Sequence, residues 1–333
     1  MSGTKFSVII PTHNRAEALR LTLANLARQQ FTEPWEVIVV NNRCTDNTDA
    51  LVEGQNFPVP LRLVHEDTPG AAAARNAGAA IASGDYLLFL DNDILVEPDF
   101  VQRHSNALTA HPGCWIVGHI ASLPEQASTP FGRYRESLFP SVSPERRICE
   151  ARGLTGANFS MPRRDMERLG GFDEEFDIAS HEDLELAMRA WRIGIKILFD
   201  PSIIGVHNDW AGTSISEYCL RQRMYCRTEP LFWFKYGTEH IKGDLVAENL
   251  PPAWGKDAPR VIFRKITKGI VGSKPAQLAL AATCGLLELT WPWRPVLWRL
   301  YRLAIAGAMY KGFQEGLAID RNGSRENKRI GVK

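Results

Sequence analysis

The triplet Asp91-Asn92-Asp93 directly follows the apolar run Tyr86-Leu87-Leu88-Phe89-Leu90. A strand ending in two carboxylates can hold a divalent cation, because carboxylate oxygens are hard ligands for magnesium or manganese. Such an ion keeps positions open for the phosphate oxygens of a substrate. In an open α/β sheet, ligands bind outside the carboxyl ends of the strands, where this triplet falls. Asp and Asn are also ordinary turn residues, so a plain strand-to-turn transition accounts for the triplet equally well when it is taken alone.

Positioning two such carboxylates requires a sheet, and the first half of the chain has the rhythm of one. Residues 7–11 form a short apolar strand, and 15–30 a helix with Leu19, Leu23, Leu26 and Ala27 on one face. Residues 36–41, 61–66 and 86–90 read as further strands, apolar enough to be buried on both faces. Strands alternating with helices predict an α/β, Rossmann-like, mostly parallel sheet flanked by helices. Residues 70–83 are a run of Ala and Gly interrupted by Arg75 and Asn76. Small side chains let a helix lie close to a sheet or a ligand, although Ala is also simply the best helix former. The two polar residues inside it call for a partner.

A strand at 115–121 is followed by the aperiodic, Ser-, Pro-, Arg- and Glu-rich stretch 122–150, which reads as a long loop or insertion. The sheet pattern resumes at 156–161. Residues 182–193 form an amphipathic helix with Leu184, Ala187, Met188 and Trp191 on one side, and two short strands precede His207. Beyond about residue 210 strand signals fade and helical segments continue to about 317, ahead of a basic, frayed tail at 321–333. This predicts a catalytic domain at 1–212 and a helical C-terminal region at 213–333.

The balance of 39 basic against 38 acidic residues gives no global nucleic-acid signature. The six cysteines form no CxxC pair and read as the reduced thiols of a cytosolic protein. Residues 1–6 are short and polar, so no secretory leader is expected. The longest nearly uninterrupted apolar stretch, 278–287, is short of the roughly 18 residues a membrane span needs. A soluble or peripheral protein, cytoplasmic and at the inner face of the membrane, is expected.

Seven motifs follow one another in order: SVIIPTHNR at 7–15, VIVVNNRCTDNT at 37–48, PGAAAARNAG at 69–78, GDYLLFLDND at 84–93, GANF at 156–159, GGFDEEF at 170–176 and HEDLEL at 181–186. Each is weak alone, but their order and spacing together are specific. Over roughly the first two thirds of its length the chain resembles glycosyltransferase family 2. That resemblance implies the glycosyltransferase A fold, a nucleotide-diphosphate sugar as donor and a divalent metal, Mn2+ or Mg2+.

It also implies roles for residues. Asp93 would ligate the ion directly, Asp91 would reach the ion or the ribose, and His207 stands where relatives often have a third metal or diphosphate ligand. A lone His is more often structural, but a neutral imidazole here would suit manganese better than magnesium. Pro11, Thr12, Asn14 and Arg15, with Gly70 and Asn92, would frame the nucleotide; Thr12 and Asn14 could equally cap the following helix. Arg75 could pair with phosphate or with Asp91, beside a polar wall completed by Asn76, or form a structural ion pair. Asn41 and Asn42 stand where many relatives carry an acidic pair, and an amide offers a nucleobase both donor and acceptor, leaving the base open. Asp46 matches a later acidic position, or caps a turn.

Asp183 matches the family's general base, which takes the proton from an acceptor hydroxyl with inversion at the anomeric carbon. Glu182 would orient the acceptor. Acidic residues here would equally offset the dipole of a helix N-terminus. The expected activity is an inverting, metal-dependent transfer of a sugar to a hydroxyl of a glycan or lipid-linked acceptor. A non-catalytic nucleotide-sugar or glycan binding module on the same fold is the alternative. A nucleotidyltransferase should begin with a glycine-rich basic loop, which residues 11–15 lack.

Near the C-terminus, Trp291, Trp293 and Trp298 lie beside Arg294, Arg299 and Arg302. That mixture suits peripheral membrane contact, and also a helix packed on its own domain with basic residues outward. Gly307, Gly312 and Gly316 permit close helix contacts.

Overall fold

Alternate residues of strand β1 (Phe6–Thr12) enter two different cores. Phe6, Val8 and Ile10 pack with Leu19, Leu23 and Leu26 of helix α1 (Ala16–Leu26), while Ile9 packs on the opposite face with Ala72 and Ala74 of α3 (Ala71–Ile81). In β2 (Trp35–Asn41), Val37 and Val39 face the first core and Ile38 and Val40 the second. Burial on both faces is why these strands read as unbroken apolar runs. The computed structural model describes residues 5–138, 148–151, 153–178, 180–208, 214–237 and 243–322.

The remaining strands are β3 (Leu61–His65), β4 (Tyr86–Leu90), β5 (Ile94–Val96), β6 (Trp115–Ser122), β7 (Cys149–Glu150), β8 (Asn158–Pro162) and β9 (Ile197–His207). Among the described residues they form one nine-stranded sheet in the order β3-β2-β1-β4-β8-β6-β9-β5, with β7 also on β9. β1, β2, β3, β4, β6 and β9 share one direction, and β5, β7 and β8 oppose it, so the sheet is the mostly parallel one expected. α1, α2 (Thr48–Glu53) and α4 (Phe100–Ala110) contribute to the first core, and α3, α7 (Arg163–Leu169) and α8 (Glu182–Arg192) to the second.

Three expectations change. α1 stops at Leu26 rather than at residue 30, where the chain turns and Arg28 donates its N–H to the Asn25 carbonyl. The stretch 122–150 is not a plain loop, because Pro124 and Pro130 begin the short helices α5 (Pro124–Ala127) and α6 (Pro130–Glu136). Its residues 139–147 lie outside the described residues. The two short strands expected before His207 are one strand, β9. Its pairing with β6 slips, so that Gly118 faces Asp200 but His119 faces Ile204, leaving residues 201–203 as a bulge around Pro201.

The chain divides into two compact units, one of Met1–Ser128 with Glu136–Trp210, the other of Thr129–Arg135 with Ala211–Lys333. The second contains α9 (Ile215–Tyr225), α10 (Glu229–Tyr236), α11 (Gly243–Asn249), α12 (Pro259–Val271), α13 (Lys274–Thr290) and α14 (Arg294–Asn322). Its core joins Phe131 and Tyr134 to Ile215, Cys219, Leu297 and Tyr301. The glycines of α14 permit the close approach expected of them. A Cβ on Gly312 would lie 2.0 Å from the Arg223 carbonyl oxygen, and one on Gly307 2.8 Å from the Gly272 nitrogen.

Candidate active site

The small residues of α3 bring it tight against the sheet. A Cβ on Gly78 would lie 2.5 Å from Ile9 Cγ2 and 3.0 Å from Val40 Cγ2. That closeness carries Arg75 into a buried position, where its Nη1 donates to Glu182 Oε1 at 2.7 Å and its Nη2 to Asp91 Oδ1 at 3.0 Å. The guanidinium lies 5.5 Å from the centre of the Phe172 ring and leaves no space for a side chain at Gly156, whose Cβ would fall 2.3 Å from Nη2. Burial opposes the charge on Arg75, but Asp91 and then Glu182 outweigh it and raise its pKa further. Arg75 therefore joins the carboxyl end of β4 to the N-terminus of α8 as a permanent cation.

Glu182 does not face an acceptor, which corrects the role expected for it. It is 3% exposed; Oε1 accepts from Arg75 and Oε2 from the Ser180 N–H at 2.6 Å, so both oxygens are engaged in holding Arg75 and the start of α8. Its neighbour Asp183 accepts from the Gly156 N–H at 3.1 Å and from the Leu184 N–H at 2.7 Å, and is only partly buried by area. Withdrawal from water and then the Glu182 charge push the Asp183 carboxyl up to about 7, against the pull of Arg75. A carboxylate poised there is suited to accept a proton near neutral pH.

At the end of β4 the second carboxylate is held from both sides. Arg15 Nη1 meets Asp93 Oδ2 at 2.5 Å, and His207 Nε2 lies 3.3 Å from Oδ1. β5, three residues long and pairing Ile94 with His207 across β9, sets this approach. Asp91 is raised from the ordinary aspartate range by desolvation, opposed by Arg75 and reinforced by Asp93.

The expected three-ligand set of Asp91, Asp93 and His207 is not preformed: among the described residues no three His, Cys, Asp or Glu side chains are arranged to enclose an ion. Asp91 Oδ1 is taken by Arg75. Asp93 and His207 together are a mixed oxygen and nitrogen donor pair, which Mn2+ accepts more readily than Mg2+, with further positions left to phosphate oxygens and water. Four carboxylates, Asp91, Asp93, Glu182 and Asp183, stand against two guanidiniums, Arg15 and Arg75. Desolvation raises Asp91 and Asp183, and a bound dication that brings in a diphosphate would favour their ionised forms.

Several residues expected to frame a nucleotide instead hold the loops that would do so. Asn92 donates to Thr12 Oγ1 at 2.7 Å, so these two lock β1 to β4 below the surface. Asn42 is buried and its amide is used on the backbone, donating to the Glu66 and Thr68 carbonyls and accepting from the Gly70 N–H at 2.9 Å. Gly70 itself adopts φ 122°, with a Cβ position 2.9 Å from the Asp177 carbonyl oxygen. Asn41 donates to Asp49 at 2.6 Å, which brings a carboxylate the sequence motifs did not single out to the edge of β2.

Asn14, in the left-handed region at φ 51°, accepts from the Thr45 N–H at 2.7 Å and does not cap α1. Asp46 does, accepting the Ala16 N–H at 2.9 Å, while its other oxygen takes the Thr48 hydroxyl at 2.6 Å. Asn76 is not part of an open polar wall, because its amide clasps the Phe172 backbone at both N–H and carbonyl. Pro11 lies within β1, opposite Val40.

His104 and Ser160, which lie in none of the motifs, form a buried polar cluster with Asn158. Where β9 bulges, the Asn158 amide donates to the His119 and Ile203 carbonyls, both at 3.2 Å. Asn158 Oδ1 in turn meets His104 Nε2 at 2.9 Å, and His104 Nδ1 meets Ser160 Oγ at 2.8 Å. Burial holds His104 down at about 4, so it is neutral across the physiological range. The Asn of the GANF motif is thus a strut beneath the site.

A mostly parallel sheet with a carboxylate pair at the end of a central strand, a buried arginine behind it and an acidic helix start beside it defines a glycosyltransferase A fold. Residues 7–168 match the family model "Glycosyl transferase family 2", and the chain carries a domain of that family. Validoxylamine A glucosyltransferase of Streptomyces hygroscopicus subsp. jinggangensis is 30% identical over 267 residues, covering 68% of this chain and 63% of that protein. The chain thus spans less than two thirds of the curated relative it matches there. Among solved structures, a mannosyltransferase of Pyrobaculum calidifontis in complex with GDP-Man and Mn2+ shares the fold at TM-score 0.59 and 23% identity, over 95% of this chain and 89% of that one. TarS 1-349 of S. aureus in complex with UDP shares it at TM-score 0.54 and 17% identity, over 97% and 93% of the two chains.

Proposed function

We propose that the chain is an inverting, metal-dependent glycosyltransferase that moves a sugar from a nucleotide-diphosphate donor to a hydroxyl of a glycan or lipid-linked acceptor. The observation that carries this reading is the Asp91–Arg75–Glu182 chain of ion pairs. It ties the carboxylate-bearing end of β4 to the helix start that presents Asp183. In the proposed step the acceptor oxygen attacks the anomeric carbon while Asp183 takes its proton. The bond from that carbon to the diphosphate oxygen breaks, and the electron pair leaves on the diphosphate. Attack from the side opposite the leaving group inverts the anomer.

Asp93 and His207 would hold a divalent cation, which when bound offsets charge developing on the diphosphate. Arg75 opposes the desolvation that raises Asp91 and holds its Oδ1 in place. A mannosyltransferase with GDP-Man and Mn2+ and a TarS structure with UDP on this fold support donors of this class.

The test is a thermal-shift screen of guanosine, uridine and thymidine diphosphate sugars with Mn2+, followed by transfer assays with the donor found. A donor that binds the folded state raises its melting temperature. Asp93→Ala should abolish the Mn2+-dependent part of that rise. Unchanged donor binding in Asp93→Ala, with and without metal, would remove the metal role.

A further inference from the structure

The C-terminal unit exposes a face that its own helices do not cover. On α12, Phe263 is 73% exposed, and Ile266 and Ile270 point out beside it. On α13, Leu278, Leu286 and Leu289 are all open, Leu289 at 88%. Trp291 and Trp293 follow at once, stacked on each other with ring centres 5.3 Å apart, both more than half exposed. Isolated exposed apolar residues are ordinary, but six on two consecutive helices, followed at once by two exposed tryptophans, are not.

Two further features say what the stripe is for. The hydroxyls along it are satisfied internally: Thr267 donates to the Phe263 carbonyl at 2.9 Å, Thr283 to Ala279 at 2.8 Å and Thr290 to Leu286 at 2.7 Å. Those threonines need no water. Charge is also segregated. Residues 258–314 contain nine Lys and Arg against one acid, Glu288. Arg264 and Lys268 pair with Glu248, and Lys265 with Asp257, which leaves Arg260, Lys274, Arg294, Arg299, Arg302 and Lys311. Glu288 accepts from the Tyr301 hydroxyl at 2.6 Å. Arg260, Lys274 and Arg299 are exposed and make no ion pair among the described residues.

We infer that the α12–α13 face binds the surface of an anionic lipid bilayer, lying in the interface with its leucines and tryptophans inserted and its basic residues on the headgroup phosphates. Apolar side chains on one face and Lys and Arg around it are what an interfacial helix requires, and Trp is at home at headgroup depth. Insertion along the surface fits better than spanning. No single helix among the described residues is long and apolar enough to cross a membrane, and the one pair that passes by length and composition together is bent by 81° between α12 and α13. At a rise of about 1.5 Å per residue these helices are about 20 and 26 Å long, each short of a hydrocarbon core of about 30 Å. Of the three tryptophans flagged in the sequence only Trp291 and Trp293 belong to this face. Trp298 packs on Tyr134 at 5.4 Å beneath the Arg294 guanidinium.

The experiment is co-sedimentation of the full chain with vesicles of phosphatidylglycerol and phosphatidylcholine, and with phosphatidylcholine alone. The proposal expects pelleting with the anionic vesicles, a blue shift of tryptophan emission, and weakening by salt. The double variant Leu286→Glu/Leu289→Glu should bind at least about tenfold more weakly, and Lys274→Glu/Arg299→Glu should lose the preference for anionic lipid. All four positions are exposed, so unchanged melting temperatures will show the fold intact. Equal vesicle binding by wild type and the leucine variant overturns the proposal. So does the absence of vesicle binding together with a dimer that the leucine variant dissociates, because the stripe would then be the contact between two copies.

Discussion

Arg15 and His207 approach opposite oxygens of one carboxylate: Arg15 Nη1 lies 2.5 Å from Asp93 Oδ2, and His207 Nε2 lies 3.3 Å from Oδ1. Asp93 is buried, while the Arg15 side chain is 43% exposed and can swing outward. A cation that takes both oxygens must displace this guanidinium. Arg15→Gln should therefore bind Mn2+ more tightly without nucleotide, by about three- to tenfold, the size of an ion pair that is open to solvent on one side. Calorimetric titration of the two proteins measures it, and equal or weaker binding by the variant would show that Arg15 does not compete.

Asp183 carries a pH signature. With its carboxyl raised to about 7, the base form required for proton removal grows as pH rises through neutrality, so transfer should climb with an apparent pKa near 7. Asp183→Asn should lower kcat by about 10²- to 10⁴-fold while donor affinity stays close to wild type. The folded-state value exceeds that of the unfolded chain, about 4, so the folded protein holds the proton more tightly. The stability this contributes is present below about pH 4 and is lost as pH rises towards 7. Melting curves of wild type and Asp183→Asn should show wild type losing ground to the variant across that window. A difference that stays flat with pH would argue against the raised value.

Gly156 is held to its identity by Arg75. A methyl group there would stand 2.3 Å from Nη2 of a buried guanidinium already tied to Glu182 and Asp91. Gly156→Ala should cost about 1–3 kcal/mol of stability through overpacking and also lower turnover, because either Arg75 or the 155–158 turn must shift. At Gly153 a Cβ meets nothing within 4 Å, so Gly153→Ala is the control expected to be neutral. Denaturant melts of both variants decide the matter.

The parts legible in the sequence were those where a local pattern reports its own surroundings. β1, β2 and β4 are apolar on both faces, and α8 is amphipathic, so their type and place followed from periodicity. Arg75 and Asp91 came together as foreseen, since a lone arginine in an Ala–Gly helix beside a sheet has few other destinations. Partners far apart in the chain were not legible. His104 sits in an ordinary helix, and its ligands Asn158 and Ser160 are 54 and 56 residues away. Glu182 read as a substrate-facing acid because nothing in its neighbours shows that a serine N–H and a buried arginine consume both its oxygens. β5 has only three residues and no period to detect. The leucines of α13 read simply as a run too short to span a bilayer, since exposure is a property of packing.

The bulge in β9 works as a phase inverter. Side chains on a strand alternate with a period of two, and the three residues 201–203 that loop out between Asp200 and Ile204 are an odd number. Everything after them points to the opposite side from the one an unbroken strand would give. His207 meets Asp93 only because of that inversion, and the Asn158 amide that caps the loosened carbonyls keeps it from relaxing. Proline in mid-strand, an apparent defect, thus sets the aim of the His207 imidazole beside the carboxylate pair.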